Sequence, residues 1–158
     1  MPLAMYALGS VIRNKGHKIR ILDPGLYRRG YFKEDVDQLI IDLSVQYDAI
    51  AFSINTFTWP RAMLQIKNLR KNAYKGYIIA GGVHPTRVPE YVMQKADIDY
   101  VLLGEGEESF PTLLDALENR CKLTEVPNLV YRNDKKFYLP SIKNIFIWII
   151  RFHYQRMI

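Results

Sequence analysis

The apolar positions of this chain fall into short blocks that alternate between two periods. Leu3, Ala7, Leu8 and Val11 share one helical face, and Asn14-Lys15-Gly16 reads as the cap ending that helix. Lys18–Asp23 reads as a strand closed by Pro24-Gly25. Val36, Leu39, Ile40 and Leu43 recur at helical spacing and predict a helix over about 33–46. Ala49–Ile54 is a continuous apolar strand, and Ala62, Ile66, Leu69 and Ala73 mark the next helix. Gly76 opens another strand, Tyr77–Ala80, and a short helix is expected at about 89–95. Asp99–Leu103 is the last core strand, followed by a helix through Phe110, Leu113, Leu114 and Leu117. Asn128–Arg132 and Lys136–Leu139 read as a hairpin across Asn133-Asp134.

Strands separated by helices imply right-handed parallel crossovers, with helices on both faces of a parallel sheet. Near-continuous apolar runs suit strands buried on both sides. The expected fold class is therefore α/β with three layers. One domain is expected over 1–140. From Ser141 the pattern changes: Ile142–Ile158 mixes large apolar residues with Lys143, Arg151 and Arg156 and shows no clear period. A linker start, a membrane-touching segment and an aberrant chain end all remain open for 141–158.

Composition narrows the class without deciding it. At 158 residues, 49% apolar and 24% charged, the chain can bury a full core. The net charge of +6 is spread over helices and turns, with small clusters at Lys67–Lys75 and Lys135-Lys136. That spread suits solvated helix faces, so no nucleic-acid partner is expected. Cys121 is the only cysteine, which fits a reducing, cytoplasmic setting without internal disulfides. The apolar run Ile145–Ile150 is far short of the roughly 20 residues a membrane span needs.

Two glycine-bearing runs carry the candidate chemistry. Gly81-Gly82-Val83-His84-Pro85-Thr86 follows one strand, and Gly104-Glu105-Gly106-Glu107 follows the next. Both would lie at the carboxyl ends of parallel strands, the face where such sheets bind ligands. Paired glycines there let a bulky group approach the backbone, although a simple turn is an alternative. Ser53, Asn55, Thr56 and Thr58 could hydrogen-bond a polar ligand, or cap the helix that starts near Trp59-Pro60. His84 has no second metal-type ligand at suitable spacing, so a packed or hydrogen-bonded histidine is expected and no metal site. Gly104-x-Gly106-x-x-Ser109 imitates a dinucleotide fingerprint, but Glu105, Glu107 and Glu108 would repel a pyrophosphate. Those acids suit the positive end of a helix dipole, and a nucleotide-binding enzyme is rejected.

These runs resemble the cobalamin-binding domain that precedes the catalytic barrel in cobalamin-dependent radical SAM enzymes. The matching stretches are Pro2–Leu8, Gly16–Ile19, Ile21–Asp23, Ala51–Ser53, Gly81–Thr86, Pro89-Glu90, Asp99–Val101, Gly104–Glu107 and Asn128–Arg132. The resemblance implies a Rossmann-like sheet of flavodoxin-type order, with cobalamin on its carboxyl face. By the same resemblance, Ser53 and Thr56 would line the channel for the nucleotide tail. Gly81 and Gly82 would let the tail pass close to the backbone, and Thr86, Glu105 and Gly106 would border the corrin. The full candidate set is Ser53, Asn55, Thr56, Gly81, Gly82, Val83, His84, Thr86, Gly104, Glu105 and Gly106. Gly82→Val is expected to harm cofactor binding far more than the fold.

Three departures shape the functional expectation. The Asp-x-His-x-x-Gly motif that supplies a histidine to cobalt is absent, so cobalamin is expected base-off, with no protein histidine on the metal. One cysteine cannot hold an iron–sulfur cluster that needs three thiolates, so the cluster and S-adenosylmethionine belong to a catalytic domain outside this sequence. The family usually begins with a central strand before the Pro2-Leu3 segment, and here none precedes it. That points to a fragment whose open strand edges promote self-association. The resulting expectation is a cobalamin-holding module of a radical SAM enzyme, methyltransferase in type and inert alone, partnered by a radical SAM barrel. The alternative is a degenerate or regulatory α/β module that works through protein contacts without cofactor.

Overall fold

The computed structural model describes residues 3–23, 30, 35–133 and 136–138. Helix α1 (Leu3–Asn14) ends where predicted: Gly16 takes φ +92°, and the His17 N–H reaches back to the Ile12 carbonyl. Then follow α2 (Val36–Ser44), β1 (Ala49–Ser53), α3 (Trp59–Lys71) and β2 (Tyr77–Gly81). The chain continues through α4 (Val83–Arg87), α5 (Pro89–Lys95), β3 (Tyr100–Leu102) and α6 (Gly106–Leu117). A 3₁₀ turn (Leu123–Glu125) leads to β4 (Leu129–Asn133) and β5 (Lys136–Tyr138).

The five strands form one sheet in the order β1-β2-β3-β4-β5. β1, β2 and β3 are parallel, with Ala51 opposite Ile79 and Ala80 opposite Val101. The predicted hairpin forms and extends the sheet, because β4 pairs antiparallel with β3 through Val101 and Val130. Successive strand residues point to opposite faces, so two cores form. Ile78, Ala80, Val101, Leu103 and Val130 pack under α3 and α5, with Trp59, Ile66, Leu69, Val92 and Met93. Ile79, Leu102 and Leu129 pack on the other side, with Leu113 and Ala116 of α6. Helix α1 packs on α6 and α2 packs on α3, completing the three-layer α/β/α Rossmann-like arrangement.

One predicted strand is absent. Lys18–Asp23 has no ladder among the described residues, although Ile21 lies against α1 at Gly9. An apolar run becomes a strand only when a neighbour supplies hydrogen bonds, and β1 finds its single described partner in β2. Among the described residues the parallel part of the sheet therefore has three strands where four were expected. Periodicity also missed α4, a single short turn of helix between Gly82 and Val88. The Pro24-Gly25 turn and residues 141–158 lie outside the described residues, as do Met1 and Pro2.

Candidate functional site at the carboxyl edge of the sheet

Beyond the ends of β1, β2 and β3, three loops are tied side by side. The Ile54 N–H donates to the Gly81 carbonyl at 2.8 Å, and the Ile54 carbonyl accepts from the His84 N–H at 3.1 Å. The Thr86 hydroxyl donates to the Gly82 carbonyl at 2.8 Å and accepts from the Gly104 N–H at 2.9 Å. A hydrogen-bonded rim thus runs from the β1 loop to the β3 loop. It is made of backbone groups and one hydroxyl, with no charged side chain in the path.

The glycines divide by cause. Gly82 has φ +96°, and a Cβ there would meet the Ile54 oxygen at 2.8 Å and nitrogen at 2.9 Å. The fold itself requires that glycine. The expectation that Gly82→Val spares the fold is therefore corrected: the side chain would strike the backbone of the neighbouring loop. Gly104 turns the chain at φ +71°, with open space where a Cβ would be. Gly106 brings α6 close to α1, since its Cβ would lie 3.4 Å from Leu8 Cδ2. Gly81 differs from the rest. It has extended strand pairing opposite Ser53, and a Cβ would meet only the Leu102 oxygen, at an ordinary 3.8 Å. Nothing in the packing of the described residues demands glycine at position 81.

The polar candidates separate in the same way. Asn55 and Thr58 close the turn that leads into α3: Asn55 Oδ1 accepts from the Thr58 N–H at 2.9 Å, and Thr58 Oγ1 accepts from the Asn55 N–H at 3.0 Å. The Asn55 carbonyl then takes the Trp59 N–H at 3.0 Å. Ser53, before this turn, and Thr56, within it, are exposed. The His84 ring stacks on Trp59 at 5.4 Å and meets Tyr91 edge-on at 6.4 Å. Its Nε2 is buried without a partner among the described residues. Glu105, Glu107 and Glu108 are exposed at the start of α6, where its dipole favours acids.

Two apolar side chains stand in the open at this edge. Phe57 is 95% exposed at the tip of the β1–α3 loop, and Val83 is 63% exposed beside Gly82. Val83 was among the sequence candidates and Phe57 was not. The signal for Phe57 was a large apolar residue set between Thr56 and Thr58, in a turn with no core to reach.

A Rossmann-like sheet with glycine loops and exposed apolar groups at its carboxyl edge defines a ligand-binding α/β domain. Residues 1–114 match the B12 binding domain family, and the chain belongs to that family. It is 30% identical over 137 residues to an uncharacterised methyltransferase of Pyrococcus horikoshii, covering 85% of this chain and 28% of the relative. It is 27% identical over 140 residues to the anaerobic magnesium-protoporphyrin IX monomethyl ester cyclase of Synechocystis, covering 85% and 27%. It is 26% identical over 132 residues to the hopanoid C-3 methylase of Methylococcus capsulatus, covering 82% and 24%. The chain thus spans about a quarter of the length of these curated relatives.

Among solved structures, the cobalamin-dependent S-adenosylmethionine radical enzyme OxsB with aqua-cobalamin bound superposes with a TM-score of 0.76. Its identity is 20%, over 92% of this chain and 20% of that one. The radical S-adenosylmethionine methyltransferase TsrM from Kitasatospora setae, with cobalamin and a 4Fe-4S cluster bound, gives 0.73 at 16% identity, over 91% and 27%. At these identities the likeness establishes the fold. No helix among the described residues is long and apolar enough to cross a membrane.

Proposed function

We propose that this chain holds cobalamin against the carboxyl ends of β1, β2 and β3, as the cofactor module of a radical SAM enzyme of methyltransferase type. The observation that carries the reading is Gly81. A side chain there would meet one ordinary contact and no strain, and no packing among the described residues calls for glycine, as expected where a ligand passes against the backbone. Gly82 shapes the same loop, while Ser53 and Thr56 offer exposed hydroxyls beside it. Phe57 and Val83 give the edge an apolar rim suited to a large macrocycle. Glu105 stands exposed at the far side, where a carboxylate can accept from a neutral amide.

When bound, cobalamin would supply a methyl group to a substrate radical generated outside this chain. The chain's own residues bind and orient. Its single cysteine is two thiolates short of the three that cluster ligation requires, so alone it is catalytically inert. Cobalamin is held base-off, without a protein histidine on cobalt: the sequence carries no Asp-x-His-x-x-Gly motif, and the His84 ring packs against Trp59 and Tyr91.

Hydroxocobalamin titration of Gly81→Ala and Gly81→Val, followed by absorbance, tests this. Overpacking a ligand cradle costs about 1–3 kcal/mol, so affinity should fall by roughly tenfold to a hundredfold in the larger variant. Melting temperatures should stay near that of the parent. Unchanged affinity in both variants would remove the ligand role of the loop.

A second reading is favoured by one observation. β1 pairs only with β2 among the described residues, and its Ala49–Ser53 sequence carries no charge or proline to discourage pairing. A module acting through protein contacts would use that edge. Light scattering across a concentration series then shows self-association that a lysine at Ala51, exposed on the edge, abolishes.

A further inference from the structure

The β2–β3 ladder ends at Ala80 and Val101, two residues before Gly82 and three before Gly104. Past that point the Thr86 hydroxyl bridges the loops, donating to the Gly82 carbonyl and accepting from the Gly104 N–H. The Thr86 N–H also donates to the Gly82 carbonyl, at 3.1 Å, which holds the side chain in the first turn of α4. Both glycines have positive φ, so each turn reaches conformations closed to other residues and depends on outside contacts to stay in one. Gly82 is held on its other flank through its neighbours, since the Gly81 carbonyl and the His84 N–H both bond Ile54. Gly104 has open space where a Cβ would be and is exposed.

We propose that Thr86 is a positioning residue: its hydroxyl fixes the separation of the two loops and thereby holds the cofactor edge in its binding form before any ligand arrives. This rests on the cobalamin reading given above. A hydroxyl is the one small group that can accept from one backbone and donate to the other at the same time. Serine can do the same. Valine matches threonine in shape and can do neither.

The test uses the whole chain and two readouts. In the ligand-free protein, amide exchange followed by NMR should show the Gly104 N–H protected in the parent and in Thr86→Ser, and fast in Thr86→Val. In hydroxocobalamin titrations, Thr86→Val should bind roughly tenfold more weakly, the worth of about one hydrogen bond, and Thr86→Ser should bind within about threefold of the parent. Parent-like affinity in Thr86→Val would overturn the proposal while leaving the cobalamin reading intact. A parent that binds no cobalamin would overturn the reading itself. If Thr86→Val fails to fold, the decision passes to the other two proteins. A fast-exchanging Gly104 amide in the parent, or weak binding by a folded Thr86→Ser, would overturn the clasp.

Discussion

At the amino end of the parallel strands, Arg70 and Asp99 join the sheet to its flanking helix. Asp99 Oδ2 lies 2.6 Å from Arg70 Nη2 and accepts from the Ile78 N–H at 2.7 Å. Arg70 Nη1 donates to the carbonyls of Tyr74 at 3.1 Å and Gly76 at 2.9 Å. At the carboxyl end the ties are backbone groups and the Thr86 hydroxyl. One end is thus closed by charge, with the tyrosines Tyr74 and Tyr100 packed around it. The other is held open by glycine turns and carries exposed hydroxyls and apolar side chains. A sheet can separate stability from binding in this way, because the two ends lie a strand's length apart. Substitutions at the amino end should register in melting, and most at the carboxyl end in ligand affinity.

Gly82→Val is the largest expected effect and the deliberate exception. It combines left-handed backbone strain with a clash against Ile54, so loss of more than about 4 kcal/mol is expected. Chemical denaturation would show a chain unfolded or nearly so. A Gly82→Val protein that melts like its parent would mean that the loop repacks without the Ile54 contacts.

Asp99→Ala comes next. It removes one partner of a part-buried guanidinium and strands the Ile78 N–H, a cost of about 2–3 kcal/mol. Melting should fall while the hydroxocobalamin affinity of the folded fraction stays unchanged. Equal losses in both would show that the two ends are coupled through the strands.

The smallest effect is alkaline. Burial pushes the Tyr74 and Tyr100 hydroxyls up from 10.0 to about 12. The folded state therefore holds protons that the unfolded state has released, so stability is full below pH 10 and declines as pH rises toward 12. Thermal melts across that window should show the decline, and Tyr100→Phe should flatten it. A slope unchanged in that variant would place the titration elsewhere.

Much of this was legible in the chain. Helical spacing located α2, α3 and α6, because α3 and α6 each bury one stripe against the sheet and α2 packs on α3. The hairpin was visible at Asn133-Asp134. The two glycine runs mark the carboxyl edge, since each directly follows an apolar run that reads as a parallel strand. Lys18–Asp23 was misread because apolar composition describes a segment able to pair, and pairing depends on a neighbour. Asn55 looked like a ligand group as readily as a cap, since the same amide serves either.

By itself the sequence determined the alternation of strands and helices, the faces that bury, the single cysteine and the position of the glycine loops. These follow from local periodicity and composition. Only the tertiary structure decided why each glycine is there. Gly82 answers to a backbone in another loop, Gly106 to a leucine in α1, and Gly81 to nothing among the described residues. Those causes are contacts between segments 28 to 98 residues apart, at Ile54 and Gly82 and at Leu8 and Gly106. No local pattern encodes such distances, because they exist only once the strands lie side by side.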